Sequence, residues 1–284
     1  MNPHPRTLEP ALSPKTLIAP AEFIHTGYTL DGHILTVTLN RPQRRNALNW
    51  RAYDELESSF RHAHADPQVR VVIVTGADPA FCSGDDVAEI MAAPSGGIAD
   101  RGAGIVHNPP TPAAIAALEC GKPVIAAVNG AAIGWGTELA LFADFRIASV
   151  QAKFSEMFVR RGLSCDVGGF YRLPALVGPE KAAELLFTGD IIDAAEAQRI
   201  GLVGSVVPHA ELMAAAGALA TRIAASPPLA VQALKRGLQK TTFGDPREIG
   251  GWAIDTIRRL ARTEDHKEGV ASFLEKRAPV FKGR

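Results

Sequence analysis

The sequence reads VVIVTG at residues 71–76 and VIAAVNG at residues 124–130, two β-rich apolar runs that each end in a glycine. The first is followed by FCSGDD at 81–86, and the second by AAIGWGTE at 131–138. Short runs of valine and isoleucine predict buried strands, and glycines allow a close approach of the backbone. Each stretch therefore predicts a strand, a tight turn and the start of a helix, which is the order of an α/β protein.

The two glycine turns also predict a kind of site. The first N–H groups of a helix have no partner inside the helix, and the helix dipole adds positive charge at that end. If the two turns lie side by side, they aim two N–H groups at one oxygen atom, which is the arrangement of an oxyanion hole. Taken singly, either stretch could instead use its glycines only to turn the chain.

The rest of the chain continues the alternation of strands and helices. The pair Asp31-Gly32 predicts a hairpin between strands at 23–30 and 33–39, and Asn46 is expected to cap the helix that follows. Further strands are predicted at 70–75, 123–128 and 144–149, and helices at roughly 85–93, 112–120 and 136–143. Residues 94–111, rich in glycine and proline, predict a mobile loop beside the site.

Three regions are expected along the chain. Residues 1–20 are rich in proline and predict a disordered lead. Residues 21–205 form the α/β core that holds the site. Residues 206–284 are mainly helical, with an apolar stripe that includes Leu212, Ala215, Leu219 and Ile223.

Composition excludes several classes of partner. The 284 residues carry 30 basic and 30 acidic side chains, so no net charge favours nucleic acid or an anionic membrane surface. No uninterrupted apolar stretch is long enough to span a bilayer. The three cysteines form no C-x-x-C pair, which suits a reducing compartment. We therefore expect a cytoplasmic protein that binds neither nucleic acid nor membranes.

Several longer segments resemble those of one family, the crotonase superfamily, that is, the enoyl-CoA hydratase/isomerase family. They follow the family's order from about residue 23 to the C-terminus and comprise 39–42, 45–48, 80–86, 122–138, 162–174 and the tail 273–282. The resemblance implies a ClpP-like α/β superhelix of β-β-α units with a helical C-terminal part that mediates trimer formation. It also implies an acyl-CoA thioester as substrate and a homotrimer or hexamer, with no metal and no cofactor beyond the coenzyme A of the substrate.

The resemblance gives the glycine turns a role. It implies that the N–H groups of Asp85 and Trp135 form the oxyanion hole for the thioester oxygen. Glu138 lies where hydratases of the family carry one of their two catalytic glutamates. A carboxylate in the first turn of a helix could otherwise serve only to balance the helix dipole.

The second glutamate of the hydratases is missing. Its place is taken by Phe158, and a phenylalanine can neither hold nor protonate water. Glu156 lies two residues before it, at a different position of the motif. Asp166, in the segment GLSCDVGG at 162–169, resembles the acid/base aspartate of family isomerases. The alternative for Asp166 is a capping role before the glycines that follow.

Further residues are implied to bind the substrate. They are Arg45, Ala47, Ser83, Gly84, Gly134, Phe158, Phe281 and Lys282. An equal alternative for Arg45 is that it is exposed and binds no ligand. An equal alternative for Phe281 and Lys282 is that the end of the chain is solvated and binds nothing.

These residues favour one reaction over another. Two carboxylates in place of the hydratase pair predict double-bond isomerisation by a carboxylate proton shuttle, with Glu138 and Asp166 as the catalytic residues. The first alternative is an enoyl-CoA hydratase, which adds water to 2-enoyl-CoA. The second alternative is a crotonase-fold acyl-CoA binder with little catalytic activity.

Overall fold

The computed structural model describes residues 16–91, 112–166, 168–241, 255–257 and 259–284. Its strands are β1 (Thr26–Asp31), β2 (Ile34–Leu39), β3 (Val71–Gly76), β4 (Ala80–Cys82), β5 (Val124–Val128), β6 (Ala131–Ile133), β7 (Phe145–Ser149), β8 (Lys153–Ser155), β9 (Ile192–Asp193) and β10 (Ser205–Val207). Its α-helices are α1 (Trp50–Ala65), α2 (Pro112–Glu119), α3 (Trp135–Phe142), α4 (Leu173–Val177), α5 (Pro179–Thr188), α6 (Ala194–Arg199), α7 (Leu212–Ala224), α8 (Pro228–Thr241) and α9 (Glu264–Glu275).

The strands form two sheets. The larger has the order β1-β2-β3-β5-β7-β10, and the smaller has the order β4-β6-β8-β9. The hairpin β1-β2 and the pair β8-β9 are antiparallel, while the other neighbours are parallel. The predicted α/β class with largely parallel strands is therefore confirmed.

A β-β-α unit repeats along the chain. In β3-β4-α2 and again in β5-β6-α3, the first strand enters the larger sheet, the second enters the smaller sheet, and a helix follows. The strands β7 and β8 continue the pattern. Successive first strands are neighbours in one sheet and successive second strands are neighbours in the other, which makes the chain a superhelix.

The central strands of the larger sheet, β3 and β5, are buried on both faces, and their side chains alternate between two cores. Val72 and Val74 point into the main core, which α1 completes with Leu56 and Phe60. Val71 and its neighbours on β5 and β7 point to the opposite face, which α7 covers.

The apolar stripe predicted in the C-terminal part is used within the chain. Leu212 is buried against the larger sheet, and Ala215, Leu219 and Ile223 pack on the same cluster. Most of this stripe therefore packs within the chain, while Leu219 and Ile223 also line a pocket with Leu234 and Leu238 of α8.

Glycines bring the two β-β-α units into backbone contact. A Cβ atom placed on Gly136 would lie 2.0 Å from the carbonyl oxygen of Cys82. A Cβ atom on Gly84 would lie 2.7 Å from the carbonyl oxygen of Ile133. Any side chain at either position would separate the two turns.

The prediction that Asn46 caps the first helix is wrong. Asn49 is the cap, since its Oδ1 accepts a hydrogen bond from the N–H of Ala52 at 3.0 Å. Asn46 instead has a left-handed backbone with φ of 56°, and its side-chain amide donates to the carbonyl oxygens of Ala77 and Ala80, each at 2.7 Å. It fastens the connection between β3 and β4.

Two other expectations concern residues only partly described. Of the predicted disordered lead, residues 16–20 are described, and Ile18 is bound to α1. Its N–H donates to Ser58 Oγ at 3.0 Å, and its carbonyl lies 2.9 Å from His62 Nε2. The predicted loop at 94–111 lies outside the described residues. None of the helices described is long and apolar enough to cross a membrane.

We predict opposite effects of alanine at two helical glycines. Gly136→Ala should lower the free energy of unfolding by about 3 kcal/mol or more, because its methyl group meets the backbone carbonyl of Cys82, which cannot move without separating α3 from β4. Gly217→Ala in α7 is the matched control. It has no neighbour within 4 Å and should raise stability by up to about 1 kcal/mol. Denaturant unfolding of both variants measures the difference, and equal stabilities would contradict the packing argument.

Candidate active site

The two predicted N–H donors, those of Asp85 and Trp135, belong to turns that lie side by side. Gly84 and Gly134 precede them, with φ of 87° and 54°, in the left-handed region that favours glycine. A Cβ atom placed on Gly84 would lie 3.4 Å from the backbone nitrogen of Trp135. Because Trp135 is the first residue of α3, its N–H has no acceptor within that helix. The turns are close enough to serve one oxygen atom.

Leu48 holds the first turn in place from the other side. Its N–H donates to the carbonyl of Gly84, and its carbonyl accepts from the N–H of Asp86, both at 2.8 Å. These bonds bracket Asp85, whose backbone forms a bridge with Leu48. The orientation of the Asp85 peptide is therefore set by the chain just before α1.

A buried ion pair supports the same region. Arg41 Nη2 lies 3.1 Å from Asp86 Oδ2, and both side chains are almost fully buried. Arg41 Nη1 also donates to the carbonyl of Ala47 at 2.6 Å. This places the predicted substrate-binding residue Ala47 beside the first turn, where it is buried.

Two aromatic side chains connect the donors. The hydroxyl of Tyr53 donates to Asp85 Oδ1. The ring of Tyr53 meets that of Trp135 edge to face, with 4.8 Å between the centroids. The side chains of both donor residues are thereby packed against one residue of α1.

Glu138 is fully buried in the first turn of α3. Its Oε1 accepts hydrogen bonds from the N–H groups of Asp166 at 2.9 Å and Gly169 at 3.0 Å. Burial, as the main cause, and the negative charge of Asp166 raise the pKa of Glu138 to about 8, while the N–H groups of Gly169, Asp166 and Gly168 oppose the shift. A carboxyl group with such a pKa can give and take a proton near neutral pH.

Asp166 is half-buried, and its side chain reaches the second turn. Its Oδ2 accepts a hydrogen bond from the indole Nε1–H of Trp135 at 3.2 Å. The structure therefore brings Asp166 to the predicted site, next to Glu138. Its proposed catalytic role stays a prediction.

A small cavity lies between the turns and the segment that follows β8. Its volume is about 40 Å³, and its lining includes the predicted residues Ser83, Gly84, Asp85, Gly134, Trp135 and Phe158. The ring of Phe158 lies 3.7 Å from the position of a Cβ on Gly134. The cavity formed by these residues is far smaller than the roughly 300–1,000 Å³ of a typical ligand pocket.

Glu156 is a third buried carboxyl group in this region, and the sequence motif gave it no role. Its side chain is 2% exposed, and neither carboxyl oxygen has a hydrogen-bond partner among the described residues. Burial raises the pKa of Glu156 well above its usual range, and the charges of Glu138 and Asp166 raise it further. In the sequence, the only feature that drew attention to Glu156 was its place two residues before Phe158.

The remaining predicted residues are not all brought together. Arg45 is exposed next to the site, and its carbonyl accepts from the N–H of Ser83 at 3.1 Å. Phe281 and Lys282 lie elsewhere in the chain. The carbonyl of Phe281 accepts from Arg70, just before β3, at 2.6 Å. The site is at the other end of β3, so within one chain these tail residues do not reach it.

A larger cavity of about 590 Å³ lies between α8 and α9 and is lined mainly by apolar side chains. It contains none of the predicted site residues, and we assign the site to the buried carboxyl groups and glycine turns instead. Within the described part of the chain, no group of three His, Cys, Asp or Glu side chains is arranged to hold a metal ion.

Comparison with known proteins identifies the family. The family model described as enoyl-CoA hydratase/isomerase matches residues 29–284. A crotonyl-CoA hydratase of Syntrophomonas wolfei is 39% identical over 244 residues, which are 86% of this chain and 92% of that protein. A carnitinyl-CoA dehydratase of Escherichia coli K12 is 39% identical over 265 residues, with 90% and 97% covered.

Solved structures agree with the sequence matches. The enoyl-CoA hydratase of Bacillus anthracis superposes with a TM-score of 0.85 at 32% identity, covering 92% of this chain and 100% of that one. The predicted crotonase fold, with two sheets and C-terminal helices, is therefore confirmed. With its paired glycine turns and matching family model, the chain belongs to the enoyl-CoA hydratase/isomerase (crotonase) family of acyl-CoA enzymes.

Proposed function

We propose that this protein catalyses the reversible addition of water to 2-enoyl-CoA thioesters. The observation that carries the proposal is the buried Glu138, adjacent to the two glycine turns, whose pKa burial raises to about 8. Relatives that are 38–39% identical to this chain are named as hydratases or dehydratases. Their names favour water addition over the isomerisation expected from the sequence.

The thioester carbonyl is the group that the turns bind. Its oxygen accepts hydrogen bonds from the N–H groups of Asp85 and Trp135, which stabilise the negative charge of the enolate. Removal of one such donor typically costs about 10²–10³ in rate. An acyl-CoA binder without catalytic activity would gain nothing from two further carboxyl groups beside the same turns, which favours an enzyme.

Glu138 and Asp166 divide the proton transfers. The oxygen of water forms a bond to C3, and its proton goes to the carboxylate of Asp166. The π electrons of the C2–C3 double bond pass into the thioester as an enolate, which takes the proton of Glu138 at C2. The product is a 3-hydroxyacyl-CoA. The indole N–H of Trp135 stabilises the anionic form of Asp166 before it accepts the proton.

Isomerisation is the second candidate, and Phe158 favours it. An apolar ring at this side of the cavity cannot hold water. A single carboxyl group, Asp166 or Glu138, would then take a proton from C2 of a 3-enoyl-CoA, which gives the enolate, and return it to C4. The enolate and its two N–H donors are common to both reactions.

The predicted trimer or hexamer stays a proposal. Since α7 packs within the chain, the apolar surface available for assembly lies on α8 and α9. Leu234, Leu238 and Leu274 are 68%, 72% and 73% exposed there in the single chain. Large exposed apolar side chains in one region are typical of interfaces between subunits. The tail residues Phe281 and Lys282 would reach a site only across such an interface.

We expect Glu138→Gln to lower kcat/KM for crotonyl-CoA by about 10²–10⁴, because glutamine cannot supply a proton. In the wild type the acid form of Glu138 is required, and its pKa is raised to about 8. Activity should therefore fall as the pH rises through that value. Glu180→Gln, at an exposed position in the first turn of α5, is the matched control and should change neither quantity. A wild-type rate that rises above pH 8 would contradict the assignment of Glu138 as the acid.

We expect Asp166→Asn to lower hydration of crotonyl-CoA by about 10²-fold or more, with little change in the affinity for butyryl-CoA. Asp190→Asn, an exposed residue paired with Arg160, is the control. Mass spectrometry of crotonyl-CoA and 3-enoyl-CoA reactions in D₂O separates the two candidate reactions. Water addition at about 10 s⁻¹ or more supports the hydratase. Conversion of 3-enoyl-CoA that is faster than any hydration would establish the isomerase instead.

A further inference from the structure

Three carboxyl oxygens in the candidate site are buried with neither a hydrogen bond nor an ion pair to a described residue. They are Oε2 of Glu138 and both carboxyl oxygens of Glu156, and none of them has a partner among the residues described. Most buried polar atoms in proteins are hydrogen-bonded, so each exception calls for an explanation. Here the exceptions belong to two carboxyl groups that interact electrostatically with each other.

The backbone fixes Glu156 beside the site. Glu156 directly follows β8, whose last residue, Ser155, accepts a hydrogen bond from the N–H of Gly134 at 2.7 Å. The next two residues, Met157 and Phe158, line the cavity between the turns. Glu156 therefore stands between the strand end that is bonded to the second turn and the residues that face the cavity.

The surroundings of Glu156 favour its neutral form. The titratable groups that interact with Glu156 are Glu138 on α3, and Asp166 and Cys165 in the segment between β8 and α4. No positively charged group is among the causes that shift the pKa of Glu156, which burial raises most. A neutral carboxylic acid has one O–H donor, which a carboxylate lacks.

Glu138 needs such a donor at one moment of the reaction. When it has given its proton to the substrate, it becomes an anion in a buried site. Its Oε1 keeps the N–H groups of Asp166 and Gly169, and the N–H of Gly168 also interacts with the carboxyl group, but Oε2 makes no hydrogen bond of normal geometry with a described residue. An anionic oxygen that is buried without a donor is strongly destabilised.

We propose that Glu156 is a positioning residue whose neutral carboxyl group donates its O–H to Oε2 of Glu138 when Glu138 is ionised. This inference rests on the proposed function of Glu138 as the acid. It gives the site a second glutamate at position 156, where the motif position 158 holds phenylalanine. Glu156 acts through Glu138 and does not exchange protons with the substrate.

A purely structural role would leave no reason for a carboxyl group at position 156. Methionine fills a similar volume, has no polar oxygen to bury and would pack against the same neighbours. Glutamine has the same shape as glutamic acid and keeps an N–H donor, but carries no titrating proton. The two substitutions therefore separate the donated hydrogen bond from the space that the side chain fills.

The test compares Glu156→Met with Glu156→Gln. In Glu156→Met, kcat for crotonyl-CoA should fall about 10- to 100-fold, because a hydrogen bond to a charged group is lost. The alkaline fall in kcat/KM should move upward by at least about one pH unit, because the anion of Glu138 loses its donor. KM should be nearly unchanged. Glu156→Gln should restore kcat to within about threefold of the wild type and return the pH profile, since a donated N–H is of comparable strength.

A second measurement does not depend on turnover. Protein labelled with ¹³C at the glutamate side-chain carboxyl carbon allows Glu138 to be titrated by NMR, with its signal identified by its loss in Glu138→Gln. The titration should move to higher pH in Glu156→Met and stay in place in Glu156→Gln. If the wild type hydrates no enoyl-CoA, the proposed function fails, while this titration still decides the inference.

Two results would overturn the inference. A titration of Glu138 that moves to lower pH in Glu156→Met would show that Glu156 acts by negative charge and not as a donor. The second result is an equal kcat in Glu156→Met and Glu156→Gln, whether both variants are active or both are impaired. It would show that position 156 does not supply a donated hydrogen bond.

Discussion

The contact between two backbone turns, with no side chain between them, is the constraint on which the rest of this structure depends. Gly136 lies against the carbonyl of Cys82, and Gly84 lies against the carbonyl of Ile133. This contact sets how closely the chain after β4 approaches the chain after β6, its neighbour in the smaller sheet, and it places the N–H groups of the two turns together. Stability and the geometry of the site are therefore determined by the same atoms, and a glycine here has two functions that no other residue type can combine.

The charge distribution of the site follows from burial around that contact. Glu138, Glu156 and Asp166 lie within electrostatic range of one another. Three carboxylates cannot all be ionised in such a place, because like charges in a region of low dielectric constant repel strongly. The group that keeps the most solvent contact, Asp166, is the one best suited to be the anion. The two buried glutamates are better suited to carry protons.

The sequence predicted the fold well, because strands such as β3 and β5 are continuous apolar runs that end in glycine. The turns and Glu138 were predictable for the same reason, since they follow directly after those runs. The cap of α1 was not, because Asn46 and Asn49 are both good capping residues and only tertiary contacts decide between them. The side-chain amide of Asn46 instead donates hydrogen bonds to two carbonyl groups more than thirty residues away in the sequence. Glu156 was passed over because its significance depends on what surrounds it, and burial without a partner cannot be seen in a sequence.

The repeated β-β-α unit has a consequence for how such a site could arise. One unit, β3-β4-α2, contributes the peptide of Asp85, and the next, β5-β6-α3, contributes the peptide of Trp135 together with Glu138. A single unit has one donor and an open sheet edge. Only when a second copy docks beside the first does a place exist where one oxygen atom meets two N–H groups. The proposed oxyanion site is thus a property of two adjacent units, and neither unit could form it alone.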